Sequence, residues 1–134
     1  MQEQRHSLPS IGSGTTRELV SLHYGTRTGA RTGGKKVYLQ ASLHADEVPA
    51  MLVAHHLRGA LAECEARGEI DGEIVLVPMA NPIGLAQTVL GHPFGRFDLT
   101  TGTNFNRGYK NLVLNDLADT SHRCHFSRRI SQTS

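Results

Sequence analysis

The sequence predicts an α/β fold, because a strand, a helix and a second strand follow one another within about 45 residues. The first strand is expected over Lys36–Leu43 and the second over Glu73–Pro78. The second strand is a nearly uninterrupted apolar run, which is typical of a strand buried on both faces. In the first strand alternate residues are apolar and share one face: Val37, Leu39, Ala41 and Leu43. Together these elements predict a right-handed βαβ unit with a parallel pair of strands.

The helix between these strands carries the clearest periodicity in the chain. Asp46 is positioned to cap its first turn, and Pro49 lies in that turn, where a missing N–H group costs little. Gly68 is expected to end the helix. Apolar residues recur at spacings of three and four, at Val53, Leu57, Ala60, Leu61 and Cys64. We expect this stripe to face the core.

The rest of the chain divides into an arm, a domain and a tail. Residues 1–14 are polar and rich in Gly, Ser and Pro, which predicts a flexible N-terminal arm. Residues 15–118 are assigned to the folded domain, in which Thr16–Tyr24 reads as a further strand and residues 111–118 can begin another helix. Residues 119–134 form a basic tail without a regular apolar pattern.

The composition narrows the class of protein. The chain has 134 residues, 38% of them hydrophobic and 19% charged, which fits one soluble globular domain. A net charge of +2 gives no argument for nucleic acid or for a membrane surface. No apolar run approaches the roughly 18 residues that span a bilayer. Cys64 and Cys124 are far apart in sequence and give no disulfide framework, so we expect a cytoplasmic protein.

His44 and Glu47 are the leading candidates for chemistry. They follow the first predicted strand directly, at the position where α/β sheets place their ligands. A neutral imidazole and a carboxylate three residues apart are suited to one zinc ion, with Asp46 between them able to orient the histidine. The pair taken alone would more often be two ordinary surface side chains, and it is the position between strand and helix that favours the metal site. A catalytic zinc site also needs a third protein ligand.

A second set of candidates lies in the glycine- and proline-rich stretch Met79–Tyr109, which reads as one long loop. Loops of this length within a compact domain are usually functional or disordered. Arg107 offers a planar fork that can hold a carboxylate through two hydrogen bonds, and Asn106 adds a neutral donor beside it. Arg96 is a fixed cation able to stabilise an oxyanion. A simple polar turn is the alternative interpretation.

The order of these motifs resembles that of the succinylglutamate desuccinylase/aspartoacylase family, which belongs to the zinc carboxypeptidase-like metallohydrolases. The resemblance covers roughly residues 36–109. It depends on a strand followed by His44-x-x-Glu47 and a helix, then a strand followed by Asn81-Pro82, then Arg96, then Asn106-Arg107.

The resemblance implies a three-layer, zinc-carboxypeptidase-like α/β fold, with a mixed sheet and helices on both faces, of which this chain holds the N-terminal portion. It implies that His44 and Glu47 bind Zn²⁺. It implies that Arg96 polarises the scissile carbonyl or stabilises its oxyanion. Asn106 and Arg107 would grip a carboxylate of the substrate.

The sequence also departs from the family pattern. The family has a second zinc histidine at the end of a later strand, whereas here the only histidines after residue 109 are His122 and His125, and neither follows an apolar strand. The family's catalytic glutamate comes later still, and no glutamate follows Glu73 in this chain. We therefore expect an N-terminal fragment of the catalytic domain, with little or no activity of its own.

The predicted function is zinc-dependent hydrolysis of an amide, or less readily an ester, in a small acylated amino acid or related carboxylate. Two other hypotheses stay open at this point. The chain could be a non-enzymatic fragment that binds metal weakly. It could instead be a module that captures anions through Arg96 and Arg107 without metal. The expected partner is a small carboxylate, without nucleic acid or membrane, and uncovered sheet surface favours self-association.

Overall fold

A computed structural model of the chain describes residues 1–10, 12–25 and 35–109. The elements in chain order are β1 (Gln2–Leu8), β2 (Arg17–Gly25), β3 (Lys35–Gln40), α1 (Val48–Ala66), β4 (Gly72–Val77), α2 (Pro82–Leu85), β5 (Thr88–Val89) and β6 (His92–Pro93). The predicted helix at 111–118 and the basic tail lie outside the described residues.

Four strands form one mixed sheet in the order β1-β2-β4-β3. β3 and β4 are parallel, with Val37 opposite Ile74 and Leu39 opposite Leu76. β2 runs antiparallel to both β1 and β4. The predicted strand–helix–strand unit with a parallel pair is therefore confirmed, and so is the α/β class with a mixed sheet.

The core lies between α1 and one face of the sheet. It is built from Leu22, Tyr24, Ala41, Ala54, Leu61 and Leu76, with partly buried Val20, Ala50, Leu57, Ile70 and Ile74 packed around it. Tyr24, Leu22, Leu76 and Val77 are the most deeply buried large side chains.

The N-terminal segment corrects the prediction of a loose arm over residues 1–14. Gln2–Leu8 forms β1 and pairs with β2 over seven residues, from Gln2 opposite His23 to Leu8 opposite Arg17. The polar composition suggested an arm, but β1 is polar because it lies at the edge of the sheet, where most of its side chains are exposed to solvent.

The start and the buried face of α1 also differ from the prediction. Glu47, and not Asp46, occupies the N-cap position, and no side-chain hydrogen bond caps the helix. Leu61 is buried and Leu57 packs on the core, as the stripe predicted, but the buried Ala54 lies outside that stripe and Ala60, within it, is exposed. Val53, however, is 66% exposed. The buried stripe is thus rotated by about one residue, which places Ala54 instead of Val53 against the sheet.

β3 is more exposed than its alternating pattern suggested. Val37 and Leu39 are 43% and 37% exposed, and Tyr38 is 57% exposed. Only Ala41, just beyond the strand, enters the core. Among the described strands β3 stands at the edge of the sheet, so it contacts a neighbour along one side only.

A network of hydrogen-bonded polar side chains crosses the face of the sheet opposite the core. Ser21 Oγ lies 2.9 Å from His6 Nε2 and 3.0 Å from His23 Nε2. His23 Nδ1 lies 2.9 Å from Glu73 Oε1, whose second oxygen is paired with Lys36 Nζ at 3.0 Å. The connectivity is that of a Ser–His–Glu triad, but the Ser21 hydroxyl is buried. This network of side chains therefore ties four strands together. Because its hydroxyl is buried, Ser21 does not serve as a nucleophile.

The Glu73 carboxylate makes stability sensitive to acid. Its hydrogen bond with His23, followed by that from Lys36, holds the pKa of Glu73 below its ordinary 4.5. A carboxylate whose pKa is depressed on folding stabilises the fold above the unfolded-state pKa, and this contribution is lost as pH falls through the folded-state pKa. We expect Glu73→Gln to be less stable than wild type at neutral pH and to lose less stability below pH 4.5.

Urea unfolding over a pH series measures this difference. Glu63→Gln is the control, because Glu63 has a 76% exposed side chain and only a 3.9 Å contact with Arg67. If wild type and Glu73→Gln lost the same amount of stability at low pH, Glu73 would not be the source of the acid sensitivity.

No helix among the described residues is both long and apolar enough to cross a membrane.

Candidate metal centre

The turn between β3 and α1 carries His44 and Glu47. The backbone N–H of its first residue, Ala41, still donates to Val77 O of β4 at 3.0 Å. Ser42 then adopts φ +61°, in the left-handed region, and its buried hydroxyl has no hydrogen-bond partner among the described residues. This conformation is costly for a non-glycine residue and turns the chain off the strand. The strand therefore ends at Gln40, three residues before the predicted Leu43.

The buried amide of Asn81, at the end of β4, holds this turn in place. Its Nδ2 donates to Leu43 O at 2.9 Å, and its Oδ1 accepts from Gly84 N at 2.8 Å. Because β3 and β4 are parallel, their carboxyl ends meet at one edge of the sheet and Asn81 can reach across. Asn81 thus acts as a clamp on Leu43, the residue before His44.

Replacing Asn81 by aspartate tests this clamp. Aspartate keeps the acceptor for Gly84 N but cannot donate to Leu43 O, and it places a charge at a position that is only 5% exposed. We expect Asn81→Asp to lower the free energy of unfolding by at least about 1–3 kcal/mol, the cost of a buried group left unsatisfied. Chemical denaturation measures the loss. Asn106→Asp, in the same region but only half-buried, is the control. Equal stability of the two variants would argue against the clamp.

A close backbone contact fixes the other side of the turn. Ala45 N donates to Gly95 O at 2.9 Å. A Cβ atom on Gly95 would lie 2.6 Å from Asp46 N and 2.8 Å from Ala45 Cβ, so only glycine fits. This contact brings the segment that begins at Arg96 against the residues that flank His44.

His44 and Glu47 converge as the sequence predicted. His44 is 3% exposed, and its Nδ1 lies 3.0 Å from Glu47 Oε1. Two tetrahedral zinc ligands at about 2.1 Å from the ion are about 3.4 Å apart, so both atoms can reach one zinc ion after a small adjustment. The donor types, imidazole nitrogen and carboxylate oxygen, also suit zinc. Within residues 1–10, 12–25 and 35–109, no group of three or more His, Cys, Asp and Glu side chains could hold a metal ion. His122 and His125 lie outside these residues.

Residues 96–107 form a hairpin, here called the site hairpin. Asp98 N donates to Thr103 O at 2.8 Å, Phe105 N donates to Arg96 O at 3.1 Å, and Phe97 pairs with Asn104. The stretch read from sequence as one long loop is therefore ordered by its own backbone, together with α2, β5 and β6.

Two side chains from the base of the site hairpin contact His44 and Glu47. Arg96 Nη2 lies 3.1 Å from Glu47 Oε1 and 3.8 Å from Asp46 Oδ2. Asn104 Oδ1 lies 2.8 Å from His44 Nε2. The hydrogen bond with His44, and then the charges of His44 and Arg96, lower the pKa of Glu47. Glu47 is therefore an anion at neutral pH and ready to bind a cation.

Asn106 and Arg107 lie farther from His44 and Glu47. Asn106 is half-buried, donates its backbone N–H to Asn104 Oδ1 at 2.9 Å and accepts from the Tyr109 hydroxyl. Arg107 is exposed, and its Nη1 donates to Asn106 O at 2.6 Å. The structure thus brings His44, Glu47 and Arg96 into direct contact. It places Asn106 next to them through Asn104, and Arg107 at the rim.

Sequence reasoning gave no role to three residues that build this site. Asn81 entered only through the motif order that carries the family resemblance, and Asn104 and Gly95 were among the many polar and glycine residues of the long loop. The spacing of Asn104 and Asn106 was an available signal, because alternate residues of an extended segment share a face. No sequence pattern around Gly95 indicates its contact with Ala45.

The comparisons with known proteins point to one family. The succinylglutamate desuccinylase/aspartoacylase catalytic domain matches residues 33–133, more than half of the chain. A solved structure of a succinylglutamate desuccinylase/aspartoacylase family protein from Shewanella amazonensis SB2B is 31% identical, with a TM-score of 0.66 over 83% of this chain. Another from Shewanella frigidimarina NCIMB 400 is 25% identical, with a TM-score of 0.61 over 87% of this chain. A search of the curated proteins finds no match.

This chain spans only 28% and 30% of the length of those two relatives. The domain match over residues 33–133 nevertheless includes every site residue described above. The chain belongs to the succinylglutamate desuccinylase/aspartoacylase family.

Proposed function

We propose that the chain carries part of a zinc-dependent deacylase site that hydrolyses an amide, or less readily an ester, of a small acylated amino acid or related carboxylate. The observation that carries the proposal is the convergence of His44 Nδ1 and Glu47 Oε1 at 3.0 Å, with Arg96 on the same carboxylate oxygen. Family membership supports the reaction class. The names of the relatives point to acylated glutamate or aspartate as substrates to test.

His44 and Glu47 would hold the zinc ion. When bound, zinc lowers the pKa of a coordinated water to about 7 and polarises the scissile carbonyl. A third ligand is required, and His122 and His125 are the histidines available later in the sequence. A glutamate base after Glu73 is missing from the sequence, so we expect this chain alone to be weakly active or inactive.

Arg96 has the position needed for the oxyanion. Its side chain is 45% exposed and lies beside Glu47, so one face of the guanidinium can turn toward a substrate carbonyl. A charged donor aimed at developing negative charge stabilises the transition state more than the ground state. Glu47 holds Arg96 in place before substrate arrives.

Asn106 and Arg107 would anchor the carboxylate of the substrate. Arg107 is exposed at the rim of the site, where it can form two parallel hydrogen bonds to a carboxylate. Asn106 adds an amide beside it. Fixing the far end of the substrate in this way orients the scissile bond toward His44 and Glu47.

The finer architecture is also part of the proposal. It is a three-layer, zinc-carboxypeptidase-like sheet with helices on both faces, supported by the parallel β3–β4 pair and its site at the carboxyl ends. The exposed apolar residues of β3 support self-association along that edge. A cytoplasmic location stays a prediction.

Two measurements on the purified chain test the function. The first follows release of the amino acid from N-succinylglutamate and N-acetylaspartate with zinc present, and we expect any hydrolysis to be lost in His44→Ala. The second follows binding of the same compounds by ligand-observed NMR, which we expect to weaken on chelation of zinc and in Arg107→Ala. Binding that survives both chelation and His44→Ala but fails in Arg107→Ala would replace the deacylase proposal with a metal-free anion-binding module.

A further inference from the structure

Arg17, the first residue of β2, is a half-buried arginine without a partner. Within residues 1–10, 12–25 and 35–109, its guanidinium makes no ion pair and no hydrogen bond. The other arginines of these ranges are exposed: Arg5, Arg58, Arg67, Arg96 and Arg107. Taking a charge even partly out of water without a partner costs free energy. An anion from outside the chain would offset that cost at Arg17.

Arg17 lines a cavity of about 360 Å³. The walls come from the turn after β1, from α2 with the two residues that follow it, and from residues 98–100 of the site hairpin. The lining is mainly apolar and includes Pro9, Ile83, Ala86 and Leu99. Small-molecule sites are usually apolar clefts of about 300–1,000 Å³ with a few polar groups that fix orientation. This cavity has that size and that character, with Arg17 as its unpaired cation.

Among the described residues, Asp98 supplies the other charge in the lining. Its Oδ1 accepts from Thr100 N at 2.8 Å and from Thr100 Oγ1 at 2.7 Å. The hydrogen bond from the Thr100 hydroxyl, followed by that from its backbone, lowers the pKa of Asp98, so this residue is an anion at neutral pH. A ligand with one negative charge can therefore pair with Arg17, whereas a second negative charge would be repelled by Asp98.

We propose that this cavity binds a small aliphatic monocarboxylate, whose carboxylate pairs with Arg17 and whose chain covers Ile83, Ala86 and Leu99. A guanidinium holds a carboxylate through two parallel hydrogen bonds. Leu99 is 50% exposed, so covering it also removes apolar surface from water. Neither His44 nor Glu47 lines the cavity, so the site is separate from the candidate metal centre.

Three ligands of equal chain length test the proposal on the full chain at neutral pH, without zinc. Hexanoate has one charge, hexanol has none and adipate has two. Titrations followed by the backbone amide signals in NMR give both the affinity and the location. We expect saturable shifts at Leu99 and Thr100 with hexanoate. Hexanol is expected to bind about tenfold more weakly, because a hydrogen bond to a charged group contributes about that factor. Adipate is expected to bind more weakly than hexanoate because of Asp98.

Three variants locate the charge and the apolar wall. In Arg17→Gln we expect hexanoate to lose about tenfold in affinity. Hexanol should bind this variant as it binds wild type, which shows that the cavity is intact. Ala86→Leu places a larger side chain in the cavity and is expected to weaken the binding of both ligands. Arg58→Gln is the matched control, because Arg58 is an exposed arginine outside this cavity, and it is expected to change neither affinity.

Several results would overturn the proposal. Hexanoate that does not bind saturably, or that shifts only amides outside the cavity, would show that no such site exists. Equal binding of hexanoate and hexanol by wild type, or full hexanoate affinity in Arg17→Gln, would remove Arg17 from the site. Adipate that binds as tightly as hexanoate would contradict the preference for one charge. Because zinc and hydrolysis play no part in these measurements, their outcome is independent of the proposed deacylase function.

Discussion

Zinc affinity is expected to fall by at least about 100-fold in His44→Ala, since even a partner outside the ligand shell is worth about 10–100-fold. His44 supplies the only imidazole that contacts Glu47 within the described part of the chain. Isothermal calorimetry gives the affinity, and metal analysis of the dialysed protein gives the stoichiometry. About one tightly held zinc per chain in wild type would implicate His122 or His125 as the third ligand.

Because His44 is buried, His44→Ala could also perturb folding. Glu47→Gln provides an independent variant, since Glu47 has a 51% exposed side chain and its replacement leaves no cavity. It is expected to weaken zinc binding in the same direction. His56→Ala, at an exposed position of α1, is the matched histidine control. Zinc binding that persists unchanged in both His44→Ala and Glu47→Gln would place the metal elsewhere.

Gly95→Ala is expected to destabilise the fold by about 3 kcal/mol, at the upper end of the usual cost of overpacking. The added Cβ would lie 2.6 Å from Asp46 N and 2.9 Å from Ala45 C, and backbone atoms cannot rotate away. The turn that carries His44 must shift to relieve the clash. We therefore expect weaker zinc binding together with the loss of stability, as measured by denaturant unfolding and calorimetry.

Gly59→Ala is the matched control for the same chemical change. Gly59 lies within α1, and nothing stands within 4 Å of the position of its missing Cβ. Alanine is favoured over glycine in a helix by about 1 kcal/mol. The two substitutions should therefore have opposite signs. A stabilising or neutral Gly95→Ala would show that the contact between Gly95 and Ala45 is not as close as the structure indicates.

The fold was predictable where side-chain pattern and burial coincide. The apolar run of β4 and the periodic face of α1 are buried because they pack on each other, so their patterns are visible in sequence. β1 was missed because an edge strand is held by backbone hydrogen bonds to β2 and needs no apolar pattern. Val53 was misassigned because the rotation of a helix on a sheet is set by packing that local spacing does not encode.

The site was predictable only in part, for a related reason. His44 and Glu47 lie on one turn, so their convergence follows from local geometry. Arg96 reaches Glu47 through the backbone contact of Gly95 with Ala45, a contact between residues fifty positions apart. The contact of Asn104 with His44 depends on the folding of the site hairpin back onto the turn. Residue types suggested each of these groups, but only the tertiary structure specifies their partners.

The base and the tip of the site hairpin differ in how freely their sequence can change during evolution. Arg96 and Asn104 stand at its base, while its tip, residues 99–102, is exposed. Lengthening a surface loop costs little, about 0.6 kcal/mol for each doubling. Insertions and replacements at the tip can therefore reshape the approach to the site, while His44, Glu47 and the residues that hold them stay unchanged.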